Sequence, residues 1–355
     1  MRRDSRADPM KIAIFGAGSI GIYVGASLLA AGADVLLIGR SRMRRQILSQ
    51  GLLLSDLEGR RQRFEGENFP YQENTAALAE ADLILVTVKS ADSAAAAIAI
   101  AEHAKPSALI VSLQNGIGNV DTLRSLMGGW QVLAAMVPFN VVQMEANRFH
   151  RASGGELMIE KNARLEPWLA LFRQAHLPLQ QCDDFAAVQW GKLLLNLNNA
   201  VNALSGLALK SQLSQRAYRR CLALLMEEAL GLLRAAGIRP ARIARVGPQL
   251  LPVLLRLPDV IFKRVAATML KIDPEARSSM WQDLQAGRLT EVDYLNGAIV
   301  RLAESLARDA PANRRITALI HAAEQGRAQF WSGEALYREC GGKDSLRWWN
   351  GKSQV

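Results

Sequence analysis

Three groups of residues in this 355-residue chain have types and spacings that could do chemistry. The first is Gly16-Ala17-Gly18-Ser19-Ile20-Gly21, a GxGxxG run between a strand-like apolar segment and a helix-like run of small residues. In that context the first glycine permits a tight turn, the second lets the backbone approach a pyrophosphate, and the third lets helix and strand pack closely. The helix N-terminus behind the turn offers free N–H groups and partial positive charge to phosphates. Where an Asp or Glu would accept a bond from a ribose 2′-OH, the next strand ends instead in Ile38-Gly39-Arg40, and Ser41, Arg42, Arg44 and Arg45 follow. A guanidinium binds a 2′-phosphate through a planar fork, so the reading is NADP(H) with Arg40 as its main contact.

The second group lies in Trp190-Gly191-Lys192-Leu-Leu-Leu-Asn196-Leu-Asn198-Asn199. Lys192, Asn196 and Asn199 are spaced i, i+4, i+7 and share one helix face inside an apolar segment. Buried amides need partners. A carboxylate or carbonyl of a small ligand would supply them, and so would a polar seam between helices; this segment alone leaves both open. The third group sits at strand ends and in the downstream helices. Lys89 follows LILVTV, and Gln114-Asn115-Gly116 follows LIVSL, at the carboxyl ends of parallel strands where ligands bind in open α/β sheets. Asp283 and Glu291 stand eight apart, on one helix face or on two helices meeting near Gly287.

The elements that must position these groups change character halfway along the chain. Lys11–Phe15, Asp34–Ile38, Leu83–Val88, Leu109–Leu113, Val132–Val137 and Glu156–Glu160 read as strands, with helices at Ser19–Ala31 and Ala94–Ala104 among them. Strands apolar on both faces and alternating with helices imply a covered parallel sheet. From about Asp184 the period is helical, with helices expected at Val188–Ser205, Tyr218–Ala236, Ala276–Ala286, Thr290–Ala307 and Ala312–Gln325. The proline-punctuated Gly247–Asp273 stretch reads as broken helix. The fold class is therefore α/β: a doubly wound parallel sheet of the Rossmann type, then an all-helical C-terminal domain. The expected division is a disordered extension 1–9, an NADP-binding domain 10–183, a helical substrate domain 184–331 and an irregular tail 332–355.

Composition narrows the function classes. Half the residues are apolar and 21% charged, which is globular and excludes a disordered chain. Arginine, proline and glycine interrupt every apolar stretch before about 18 residues, so no membrane span is expected. Asp4, Asp8 and Pro9 argue against a signal peptide before Ile12. Three distant cysteines, Cys182, Cys221 and Cys340, form no disulfide framework and suggest a reducing, cytoplasmic setting. Four scattered histidines suggest no metal site. A net charge of +10 suits anionic partners, but the arginine groups lack interleaved aromatics, so no nucleic-acid surface is expected.

Taken together, GAGSIG at the start, VTVK ending at Lys89, QNG with Asn115, W-x-K-x3-N in the second half, and SSM-x-Q-D followed by TE-x-D-Y-x-NG resemble the ketopantoate reductase (2-dehydropantoate 2-reductase) family from about Met10 to Gln325. The resemblance implies an NADPH-binding Rossmann domain, a helical domain, and an active site in the cleft between them. It implies reduction of 2-dehydropantoate to pantoate, a step toward pantothenate and coenzyme A. Lys192 matches the family's catalytic lysine, which gives the proton to the keto oxygen, and Glu291 matches the glutamate near substrate and lysine. Asn115 matches the asparagine shared by cofactor and substrate. Asn196 and Ser279 match substrate contacts, with Asn199 and Asp283 as further candidates. Arg40 and Lys89 match cofactor contacts, joined by a backbone contact at Asn140.

Three departures accompany the match. Position 200 is alanine where the family often has another asparagine, leaving Asn199 or Asn202 to substitute. Pro138-Phe139-Asn140 alters the loop after the Val132–Val137 strand. Gly247–Asp273 reads as an insertion that caps the cleft or forms a homodimer surface. The alternatives carried forward are a reductase of another small branched 2-oxo acid and a non-catalytic NADP(H) sensor.

Overall fold

Ile12, Ala13 and Ile14 are wholly buried, and the strand they form lies inside an eight-stranded sheet that organises the first half of the protein. In this computed structural model, residues 10–242, 246–267, 274–327 and 329–343 are described; the expected extension 1–9 lies outside them. The chain divides into two compact units that part between Phe185 and Ala186. No helix among the described residues is long and apolar enough to cross a membrane.

The strands of the first unit are β1 (Lys11–Phe15), β2 (Asp34–Ile38), β3 (Leu52–Asp56), β4 (Arg61–Phe64), β5 (Tyr71–Gln72), β6 (Leu83–Val86), β7 (Leu109–Ser112), β8 (Gln131–Met136), β9 (Val141–Met144), β10 (Arg148–Arg151), β11 (Leu157–Glu160) and β12 (Leu179–Cys182). Its helices are α1 (Ser19–Ala30), α2 (Ser41–Gln50), α3 (Ser93–His103), α4 (Asn119–Leu126) and α5 (Glu166–Gln174). The main sheet runs β12-β11-β8-β7-β6-β1-β2-β5. All its pairings are parallel except β8 with β11. The chain leaves β1 toward β2 and later returns to β6 on the other side of β1. The β1–β6 boundary is therefore the topological switch point, where open sheets of this kind bind ligands.

A second sheet, β4-β3-β10-β9, is not foreseen from sequence. It explains why α1 is buried almost all round: α1 packs on β1 and β2 inside and on β3, β9 and β10 outside. The run before β6 is a 3₁₀ helix, Thr75–Glu80, with Asn74 accepting a bond from the Ala76 amide.

The second unit is helical: α6 (Phe185–Asn196), α7 (Asn198–Ser205), α8 (Leu209–Leu213), α9 (Arg216–Ala235), α10 (Leu251–Leu255), α11 (Asp259–Val265), α12 (Ser279–Gln285), α13 (Asn296–Ser305), α14 (Pro311–Glu324) and α15 (Gly333–Glu339). α9 is its axis, with α7, α8, α10, α13, α14 and α15 packed on it. The helix expected over Val188–Ser205 is two helices meeting at Leu197, in a run whose four asparagines favour local bonds over helix interior.

The proline-punctuated segment forms short helices on α9, and Arg216, Arg219 and Glu227 of that helix all bind it. Arg219 is fully buried, donates to the carbonyls of Leu213, Leu255 and Leu257 at 3.0, 3.1 and 2.7 Å, and pairs with Asp259 at 2.9 Å. Burying that cation is tolerable because its donors meet acceptors. Residues 268–273 lie outside the described set. The tail expected to be irregular holds α15, which Ser332 caps by accepting from the Ala335 amide and which buries Leu336, Tyr337 and Cys340. Its last residues, 344–355, lie outside the described set.

Candidate active site

The glycine turn joins β1 to α1 at the switch point. Gly16 has φ +114, and a Cβ there would lie 2.5 Å from the Val88 nitrogen, so only glycine fits. A Cβ on Gly21 would collide with the Gly16 carbonyl and the Thr87 hydroxyl. Thr87 Oγ1 donates to the Gly16 carbonyl at 2.6 Å and ties the turn to the exit of β6. Gly18 differs: a Cβ there would meet no heavy atom within 4 Å, so the backbone faces open space. No side chain caps the α1 N-terminus. Uncapped first-turn amides beside open space suit a diphosphate, and a dinucleotide fits this turn.

Arg40 follows β2 and precedes α2. Its carbonyl accepts from Tyr71 Oη at 3.1 Å, and burial, helped by Glu73, pushes that phenol up to about 12, so it stays a donor. The Arg40 side chain is 87% exposed and pairs with Asp92 at 3.2 Å. Such a surface pair contributes little and exchanges readily for a phosphate. Arg44 pairs with Glu73 at 3.5 Å.

Lys89 and Asn115 follow the ends of β6 and β7; β6 is the neighbour of β1 in the sheet and β7 the strand beyond it. A polar network unseen in the sequence holds their loops. Asn119 Nδ2 donates to the Asn115 carbonyl at 2.7 Å and to Ser90 Oγ at 3.1 Å. Ser93 Oγ donates to Asn119 Oδ1 at 3.0 Å, and Gln114 Nε2 donates to Ser93 Oγ at 2.8 Å and to the Val88 carbonyl at 3.2 Å. The only sequence signal was a density of small polar residues just past the strands.

At Asn140 a backbone contact to cofactor is expected. Its N–H donates to Ser153 Oγ at 2.9 Å and its carbonyl accepts from the Ala152 amide at 2.9 Å, so its backbone closes a protein loop.

In the second unit, Lys192, Asn196 and Asn199 form a partly exposed stripe flanked by buried Leu193, Leu194, Leu197 and Ala200. The stripe survives the break at Leu197. Burial pushes the Lys192 ammonium down to about 8. A lysine so tuned is still mostly protonated at neutral pH, yet a far better acid than an exposed one.

Asn202 is wholly buried and used by the fold. It donates to the Leu207 carbonyl at 2.9 Å and accepts from the Ser278 amide at 2.9 Å. Asn199, with its partly exposed amide, is the remaining candidate to replace the asparagine missing at position 200. Ser278 Oγ donates to the Asn199 carbonyl at 3.2 Å and accepts from the Trp281 amide, capping α12. These bonds set the start of α12 against α7, and the next residue, Ser279, is exposed there.

Asp283, expected to touch substrate, is 3% exposed and pairs with Arg288 at 3.1 Å, closing the turn at Gly287. That pair engages its carboxylate within the protein. Glu291 is partly exposed and sits on no α-helix; it opens a 3₁₀ turn, Val292–Tyr294, ahead of α13. Thr290, beside it, donates its amide to Glu324 at 2.7 Å.

Comparison with known proteins agrees with both units. The family profile described as ketopantoate reductase PanE/ApbA matches residues 12–164, and the profile of its C-terminal part matches 184–324. A 2-dehydropantoate 2-reductase of Pyrococcus abyssi is 29% identical over 321 residues, 89% of this chain and 98% of its own length. The crystal structure of a PanE/ApbA family ketopantoate reductase from Ralstonia eutropha JMP134 superposes with a TM-score of 0.76 at 32% identity, covering 90% of this chain and all of that one. A ternary structure of D-mandelate dehydrogenase with NADH and anilino(oxo)acetate has the same fold, at TM-score 0.75, 20% identity and coverage of 89% and 99%. The profiles span most of the sequence in the expected order, and on that basis the chain belongs to the ketopantoate reductase family.

Proposed function

We propose that this protein reduces 2-dehydropantoate to pantoate with NADPH. The single observation that carries the chemistry is Lys192, a partly buried ammonium pushed down to about 8 on an amide-bearing stripe. The bound nicotinamide supplies a hydride for the keto carbon. Lys192 gives its proton to the keto oxygen and its charge meets the developing alkoxide. Asn196 and Asn199 orient the substrate, and the Ser279 hydroxyl takes its carboxylate. Glu291 holds the lysine's orientation. Gly16 to Gly21 cradle the diphosphate, Lys89 and Asn115 serve the cofactor side, and Arg40 takes the 2′-phosphate.

A sensor without turnover would not need a lysine of this acidity. A second reading, reduction of another small branched 2-oxo acid, is favoured by the buried Ala200 and the committed Asn202, which leave the stripe fewer amides. Leu250, Val253, Val260, Ile261 and Val265, exposed on and beside α10 and α11, support a homodimer through this segment.

Oxidation of NADPH at 340 nm, with 2-dehydropantoate against a panel of 2-oxo acids and with NADH in parallel, tests the assignment. The expected result is the highest kcat/KM for 2-dehydropantoate with NADPH. Faster turnover of another acid would establish the second reading, and preference for NADH would refute the role of Arg40.

A further inference from the structure

The loop that carries Glu291 is held by residues of α14 that no sequence motif marks. One residue before it, the Thr290 amide donates to Glu324 Oε1 at 2.7 Å. Two residues after it, Asp293 Oδ1 lies 3.0 Å from His321 Nε2. Between these anchors His321 Nδ1 lies 2.9 Å from Glu324 Oε2. His321 and Glu324 share the last turn of α14, so one helical turn grips the loop on both sides of Glu291. Thr290 Oγ1 also accepts from the Val292 amide at 3.2 Å and stiffens the short span.

The imidazole thus faces a carboxylate at each nitrogen. Only the imidazolium has two N–H groups, so only the charged ring donates to both. A neutral ring keeps one bond and turns a lone pair toward the other carboxylate. We infer that His321, as an imidazolium bridging Asp293 and Glu324, is a positioning residue that fixes the Glu291 loop and releases it as pH rises. The inference rests on the reading of Glu291 as a site residue given above.

The surroundings favour the charged ring. Burial works against the cation, but the hydrogen bonds and charges of Glu324 and Asp293 outweigh it and hold the imidazole above its ordinary 6.5. Burial likewise works against the Glu324 carboxylate, and the His321 and Thr290 bonds outweigh that too, leaving it below the usual carboxylate range. The C-terminal end of α14 adds a favourable dipole. Among the described residues, Glu324 and Asp293 are the charges that act on the ring. α7 brings no ionisable side chain, while Glu228 of α9 and Glu304 of α13 are bound at the far end of α14, to the Ala312 and Asn313 amides and to Arg314. A histidine raised by its partners stabilises while protonated, and that contribution is lost as pH rises through the folded-state value.

Amide hydrogen exchange over residues 288–296, from pH 6 to 9 and corrected for intrinsic rates, reads the clamp directly. In the wild type, protection should fall on the order of tenfold, with a midpoint above 6.5, as one charged bond is lost. His321→Gln should lack the pH step, and His321→Lys, charged throughout, should keep protection at pH 9. A pH-independent wild-type profile, or equal protection in wild type and His321→Gln, would overturn the clamp. In the reductase assay His321→Gln should lose kcat/KM by on the order of tenfold at unchanged NADPH affinity, with His321→Lys restoring it at alkaline pH. Unchanged kcat/KM beside lost protection would overturn the link to Glu291. Absence of turnover in the wild type would count against the proposed function, while the exchange profile would still decide the clamp. Thermal unfolding of each variant shows whether it is folded.

Discussion

The glycine turn of the first unit and the lysine stripe of the second build their sites from different materials. The turn works through backbone: Gly16 adopts φ +114, Gly21 lets the helix close on the turn, and Gly18 leaves open space. What matters there is the absence of side chains at three glycines within six consecutive residues. The stripe works through side chains, and distant residues set their positions. Asn202 reaches Ser278 across 76 residues, and Thr290 reaches Glu324 across 34. A backbone site therefore tolerates little substitution within it, whereas a side-chain site can be detuned from far away.

The comparison can be broken first at Gly18. Gly18→Val adds bulk where nothing lies within 4 Å, so the protein should fold normally. Dinucleotide affinity should nevertheless drop on the order of a hundredfold, as a side chain there displaces the diphosphate from the charge-assisted bonds of the turn. Normal affinity by fluorescence titration would show that the open space is not the diphosphate site. A smaller effect is expected at Arg40, the first-unit side chain assigned to the 2′-phosphate. Arg40→Ala should reduce the NADPH-over-NADH preference by about tenfold or more, the value of a charged hydrogen bond, and leave NADH kinetics nearly unchanged. An equal loss with both coenzymes would deny it the 2′-phosphate.

The smallest effect sharpens the side-chain half. In His321→Lys, where the loop clamp does not titrate, the Lys192 acid near 8 should leave kcat/KM for reduction flat below that pH and make it fall about tenfold per unit above it, since the protonated form is consumed. The reverse oxidation needs the neutral amine and should rise to a plateau above about 8. His321→Lys separates this limb from the loop clamp, because it removes only the histidine's titration.

The same contrast explains what could be read in advance. GAGSIG lies in consecutive residues between a strand and a helix, so its local context sufficed. The second sheet escaped notice because β4, Arg61–Phe64, is exposed along most of its length and β9 ends in exposed residues. Neither shows the apolar run of a central strand. The helix α15 was missed because its cue is the single Ser332 cap, and its burial depends on α9, more than a hundred residues earlier. Lys192, Asn196 and Asn199 were visible as a helical period. That Asp283 and Asn202 serve the fold was not visible, since their partners Arg288 and Ser278 are set by loop geometry. His321 looked like one of four scattered histidines until α14 set it between two carboxylates.

The most direct test of the central claim compares wild type with Lys192→Ala in one preparation, measuring NADPH binding and NADPH oxidation by 2-dehydropantoate. The expected result is unchanged NADPH affinity with turnover reduced by on the order of a hundredfold or more, the share of a positioned general acid. Turnover retained by Lys192→Ala at the wild-type rate would contradict the assignment of Lys192 as the proton donor.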